Sequence, residues 1–251
     1  MLNPIPIGLI IAASAFGGAL FGFGLQHRLP KEHLGPESRE TIMLGIGLVA
    51  TMTALVLGLV CASAKSSFDE LDARIRQSTV ATLTLDRTLA RYGPETAKIR
   101  AGLKEAIGHR LQTSWSSDAP SPDPVDLMLG VETLAAGIRS LTPANDSQRG
   151  LQEKALETTE TLLEERWLTF GHLGDSIPTP FLVVIAFWLA MTFLSFSLFA
   201  PRNGTVVAVL AVCALSVGSA VFLILEMDGP FTGMITVSSA PVEYVYERLG
   251  R

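Results

Sequence analysis

Charge is scarce in this chain. Asp, Glu, Lys and Arg supply 17% of its 251 residues, whereas a soluble domain carries about 25%. The deficit falls in an N-terminal and a C-terminal block, with a polar middle between them. Basic residues give no excess either: the net charge of −5 argues against a nucleic-acid partner. Cysteine is limited to Cys61 and Cys213, both inside apolar runs, which excludes a disulfide framework. The four histidines, His27, His33, His109 and His172, form no pair at helical spacing, and neither HExxH nor CxxC occurs. A Walker A loop and a G-x-S-x-G elbow are also missing, and no serine has a recognisable base beside it. The expectation is a protein that is not an enzyme and holds no metal or cofactor.

Two matches fail on context. Gly45-Ile46-Gly47-Leu48-Val49-Ala50 has the letters of G-x-G-x-x-A, but a dinucleotide loop follows a strand and opens an exposed helix, and this one lies within an apolar run. Asn145-Asp146-Ser147 and Asn203-Gly204-Thr205 are acceptor sequons, idle in a cytoplasmic or bacterial setting.

What is present is long apolar sequence. Ile5–Leu25, Thr41–Ala64, Phe181–Phe199 and Thr205–Leu225 carry no charge. Each is near the ~20 residues that cross a bilayer as a helix, and helix is the conformation that satisfies its own backbone in lipid. The first run lacks a basic leader and exceeds the length of a signal core, so it reads as a retained span. Short loops at 26–40 and 200–204 and a long one between spans 2 and 3 make two hairpins flanking a domain. The expected organisation is a first hairpin over 1–64 (spans about 5–25 and 41–64) and a soluble helical domain over 65–176. A second hairpin over 177–225 (spans about 178–200 and 205–225) and a cytosolic tail over 226–251 follow. The fold class is therefore an all-α integral membrane protein with four transmembrane helices, its second span continuing into the helical domain. Basic residues do not set the orientation. Arg28, Lys31, Arg39 and Arg202 in the short loops balance Lys65, Arg74, Arg76 and Arg166 on the domain side.

In the middle block, Phe68, Leu71, Ile75, Ser78, Thr82, Leu85, Leu89 and Tyr92 recur at threes and fours, a coiled-coil-like seam that suits symmetric association. Gly93-Pro94 ends it. Pro94–Leu111 reads as a second helix, Ser114–Pro124 as a loop, and Leu127, Val131, Leu134, Ile138 and Leu141 as one face of a third helix. A fourth runs from about Gln148 to His172, and Ser176-Ile177-Pro178 looks like the cap of the third span.

Two spans carry stripes of small residues. Gly18 and Gly22 form a small-xxx-small pair suited to close helix packing. On the second span Gly47, Thr51, Ala54, Gly58, Cys61 and Lys65 repeat at four, three, four, three and four. The stripe fits helix packing or a pore-lining face, and Lys65 at its end would favour anions. Arg28 and Lys31, with His27 and His33, would lie near the opposite mouth. The spans themselves hold no charged residue and show no inverted repeat, which disfavours a coupled transporter.

Three stretches resemble the bestrophin-like domain family of bacterial membrane proteins. They are Glu40–Asp69, Leu85-Asp86-Arg87-Thr88-Leu89-Ala90-Arg91-Tyr92-Gly93-Pro94, and Pro230-Phe231-Thr232-Gly233-Met234-Ile235 with Val237-Ser238-Ser239-Ala240-Pro241. The family is similar in layout to bestrophins, pentameric anion channels whose second helix lines the pore. The resemblance implies a homo-oligomer, a pentamer, that conducts small anions along its second span. It also implies a multi-pass protein of the bacterial inner membrane, in contact with the lipid bilayer, with termini and helical domain in the cytoplasm. The alternative is a non-conducting membrane scaffold or sensor whose helical domain binds a partner.

Overall fold

The computed structural model describes residues 3–30, 35–115, 124–172, 179–231 and 233–251, without the side chains of 124–129 and 169–172. Lys31, His33, Ser176-Ile177-Pro178, most of the Ser114–Pro124 loop, Thr232 and the side chains of Leu127 and His172 lie outside the described residues.

The described elements are helices: α1 (Pro4–Arg28), α2 (Pro36–Tyr92), α3 (Ala97–Ser114), α4 (Pro124–Arg139), α5 (Asp146–His172), α6 (Thr179–Leu198), α7 (Gly204–Asp228) and α8 (Ala240–Tyr246), with a 3-10 turn at Pro94–Thr96. Four of them, α1, α2, α6 and α7, are long and apolar enough to cross a membrane. Their starts follow local chemistry. Asn3 accepts a hydrogen bond from the Ile5 amide (3.2 Å) beside a proline in the first turn of α1. Asn203 accepts one from Val206 (2.8 Å) at the start of α7. The latter helix continues to Asp228 and so includes Glu226, which is buried.

The chain forms two compact units. One comprises 1–66 and 176–229, the other 67–175 and 230–251. In the first unit α1 packs on α6 and α7. Its core joins Ile11, Ala15 and Ala19 to Leu182, Ile185, Leu189 and Phe193 and to Leu210, Ala214, Val221 and Leu225. Glycine sets the spacing. A Cβ on Gly18 would lie 2.3 Å from the Ala190 carbonyl oxygen, and one on Gly22 would lie 2.1 Å from Ser197 Oγ. The Gly18/Gly22 pair therefore brings the α1 backbone directly onto α6.

In the second unit Leu71, Ile75, Leu85 and Leu89 of α2 meet Leu103 and Ile107 of α3, Val131, Leu134 and Ile138 of α4, and Ala155 and Leu162 of α5. Here the structure differs from the coiled-coil expectation. The 71–92 seam, with Ser78, Thr82 and Tyr92, is buried inside the chain's own core. A heptad-like period specifies a buried face but not the partner that covers it, and three helices of the same chain supply that cover. The segment after α7 belongs to this unit too. Val237, Val242, Val245 and Leu249 are buried in the same core, Phe231 meets Trp115 edge-on at 5.5 Å, and Trp115 Nε1 donates to the Val237 carbonyl (2.8 Å).

Candidate pore-lining face of the second membrane helix

Between Thr41 and Ser66, α2 shows three faces. Thr53 and Ala64 are buried, and Val56 and Leu57 rest against the core of their unit. About half a turn away, Leu44, Leu48, Leu55 and Leu59 are 65–72% exposed, as lipid-facing side chains are. Between these two faces runs the small stripe. Gly47, Thr51, Ala54, Gly58, Cys61 and Lys65 are all exposed.

The stripe differs from the one on α1. A Cβ added at Gly47 or Gly58 would meet nothing within 4 Å, whereas Gly18 and Gly22 have a helix backbone against them. Thr51 Oγ1 donates to the Gly47 carbonyl on its own helix (2.8 Å). Its donor is thereby used, and its oxygen lone pairs remain for an outside partner. Among the four membrane helices α2 is the least enclosed: 6% of its most apolar stretch is buried, against 28–44% for the others.

Of the two mouth residues, Arg28 ends α1 and is exposed, while Lys31 lies outside the described residues. In the sequence Arg202 is one of four loop cations with no partner to be read. Its guanidinium in fact donates to the Phe23 carbonyl and to Gln26 Oε1 and meets His27. A cation there closes the carbonyl end of α1 and opposes the negative end of its dipole. Nearby in the same unit, Arg39 sits 5.9 Å over the Phe199 ring. Neither contact carries a local sequence signal, because the partners come from distant parts of the chain.

The stretch Leu85–Pro94 proves to be a structural joint. Asp86 is fully buried and accepts from Arg100 Nε (2.8 Å) and Nη2 (3.1 Å), a two-bond pair that fixes α3 on α2. Gly93 sits at φ 141°, a region few other residues tolerate. Past it, Thr96 Oγ1 donates to the Leu89 and Gly93 carbonyls (2.7 and 2.8 Å), and Gln148 Nε2 to that of Tyr92 (2.9 Å). Two of the carbonyls left open at the end of α2, those of Leu89 and Tyr92, are thus satisfied.

Four apolar helices, a second helix shared between two units, and a helical unit closed by the C-terminal segment define an all-α membrane protein. The bestrophin-like domain matches residues 13–242, so the chain belongs to the bestrophin-like domain family. Crystal structures of a bacterial bestrophin homologue from Klebsiella pneumoniae are similar throughout. One is 15% identical, covers 95% of this chain and 96% of its own, and superposes with a TM-score of 0.64. A variant of it is 14% identical, covers 98% and 97%, and gives 0.68. At that identity the likeness shows the fold. No curated protein matches the chain.

Proposed function

We propose that the protein is an oligomeric, anion-conducting channel of the bacterial inner membrane, with α2 lining its pore. One observation carries this reading: the small stripe of α2 is exposed along its whole length, on the membrane helix least enclosed by its own chain. Copies of such a helix around an axis leave room for an ion beside Gly47, Ala54 and Gly58. Lys65 at one end raises the local anion concentration. Arg28 and Lys31 act in the same sense at the other mouth. Family membership supports a pentameric assembly, and with it a cytoplasmic position for residues 65–176 and both termini. For the scaffold alternative, a partner would need an open face on the helical domain, and the Phe68–Tyr92 seam is occupied within the chain.

The test is halide flux into vesicles reconstituted with the full-length protein. Chloride influx that Gly58→Leu reduces and Lys65→Glu redirects toward cations is the expected outcome. Absence of flux at every voltage and pH, from protein that is assembled in the vesicles, sinks the reading.

A further inference from the structure

The helical unit holds a concentration of arginine that the channel reading does not use. Arg74 and Ser78 lie one turn apart on α2. Arg110 of α3 reaches across to Ser78, Nη1 to Oγ at 3.5 Å. Glu165 of α5 is buried at 7% exposure, and its charge acts on both Arg110 and Arg74. Arg166, the next residue, is half-buried and close enough to Arg110 for the two cations to repel. Two guanidiniums, from α2 and α3, thus lie near one buried carboxylate, and a third, from α5, lies near Arg110.

Glu165 and Arg166 are engaged with neighbours; the buried unmet donor belongs to Arg74, and Arg110 is weakly held. Arg110 has five N–H donors, and among the described residues its hydrogen bond is the long one to Ser78. Arg74 uses Nη2 on Glu70 (2.5 Å), while its Nε is buried with no hydrogen bond among the described residues. Buried donors of charged groups are costly to leave open, and nearby Ile75, Ile107 and Leu162 are apolar. Two planar forks beside a third cation, next to a dry core, match the geometry of a group with several anionic oxygens.

We infer that Arg74 and Arg110, with Arg166 beside them, form a binding site for a small phosphate-type oxyanion where α2, α3 and α5 meet. Glu165 competes with that ligand for the same guanidiniums. Burial pushes its carboxyl up from the usual range, against the pull of Arg110 and Arg74 and with help from Glu164. Occupancy accordingly rises as Glu165 takes a proton. A soluble phosphate compound and a phospholipid headgroup offer the same chemistry.

The experiment is thermal unfolding of the full-length protein in detergent, titrated with sodium phosphate against sodium chloride at matched ionic strength. A saturable rise of about 2–4 °C specific to phosphate is expected. Arg110→Gln should weaken the apparent affinity at least tenfold. Arg110→Lys, which keeps the charge but loses the fork, should do so even if the Gln variant does not fold, and Glu165→Gln should tighten binding. If only short-chain phosphatidic acid gives an Arg110-dependent rise, the ligand is a lipid headgroup. No specific rise with either probe, or a rise that Arg110→Lys leaves unchanged, overturns the site. Flux plays no part in the readout, so the channel reading can fail without it.

Discussion

Over Ser67–Tyr92, α2 buries Leu71, Ile75, Leu85 and Leu89 in a core closed by three helices and the C-terminal segment. Over Pro36–Ser66 the same helix leaves Leu44, Leu48, Leu55, Leu59 and its small stripe exposed. The polar side chains differ in parallel. The former half carries Arg74–Glu70 and Arg76–Asp72 pairs and the buried Asp86–Arg100 pair. In the latter, Thr51 and Thr53 turn their hydroxyls onto their own backbone, as Thr79, Thr82, Thr84 and Thr88 also do in the former. One half is thus built to be held, and the other to meet something outside the chain. In lipid, apolar exposure costs nothing, so a span with few intrachain contacts is no defect.

The sharpest way to break this contrast is to mutate equivalent positions in each half. Asp86→Asn leaves Arg100 without its charge partner in a buried setting and should destabilise the helical unit by about 3 kcal/mol. Leu48→Ala, in the open half, should change stability by less than about 0.5 kcal/mol. Thermal unfolding of both variants in the same detergent measures the difference, and equal losses would remove the distinction.

Next in size is the contrast between the two glycine stripes. Gly22→Leu has no room against Leu194 and Ser197 and should cost about 2 kcal/mol. Gly58→Leu meets open space and should leave stability unaltered while lowering chloride flux several-fold. Lys65→Glu should leave the fold intact and move the chloride-to-sodium permeability ratio toward sodium, read from reversal potentials in planar bilayers.

The smallest effect concerns pH. Because the Glu165 carboxyl is raised in the folded state, the native protein holds its proton more tightly than the unfolded chain does. That contribution to stability is complete below the unfolded pKa and is lost as pH rises through the folded one. The charged and titratable groups acting on it are Arg110 on α3, Arg74 on α2 and Glu164 on α5. Glu165→Gln should therefore flatten the fall in melting temperature between mildly acidic and neutral pH; an unchanged slope would place the titration elsewhere.

Composition alone makes the four membrane helices legible, because charge-free runs of that length have few other conformations open to them. Gly18 and Gly22 announce close packing by spacing, and the helix they touch is visible only in three dimensions. The 71–92 period is equally plain, yet it reads as an intermolecular seam until α3, α4 and α5 are seen to cover it. Val237, Val242, Val245 and Leu249 give no warning of their burial, since their partners lie far back in the chain. The stripe of α2 shows the opposite balance. Its register is readable at once, whereas its exposure depends on what the other spans leave uncovered. Arg74, Arg110 and Glu165 share no spacing, and only the packing of three helices brings them together.

The Arg202 contact with the Phe23 carbonyl spans 179 positions, and that separation bears on assembly. During synthesis α1 enters the bilayer long before α6 and α7 exist, so its glycine groove waits against lipid until the last hairpin arrives. The helical unit likewise stays open at one side until residues 231–249 emerge to seal it. Both units are completed by the final quarter of the chain, long-range closures of the kind that slow folding. A ribosome stalled between α5 and α6 should therefore hold a nascent chain whose Asp86–Arg100 joint can form while α1 still lacks its partner helices.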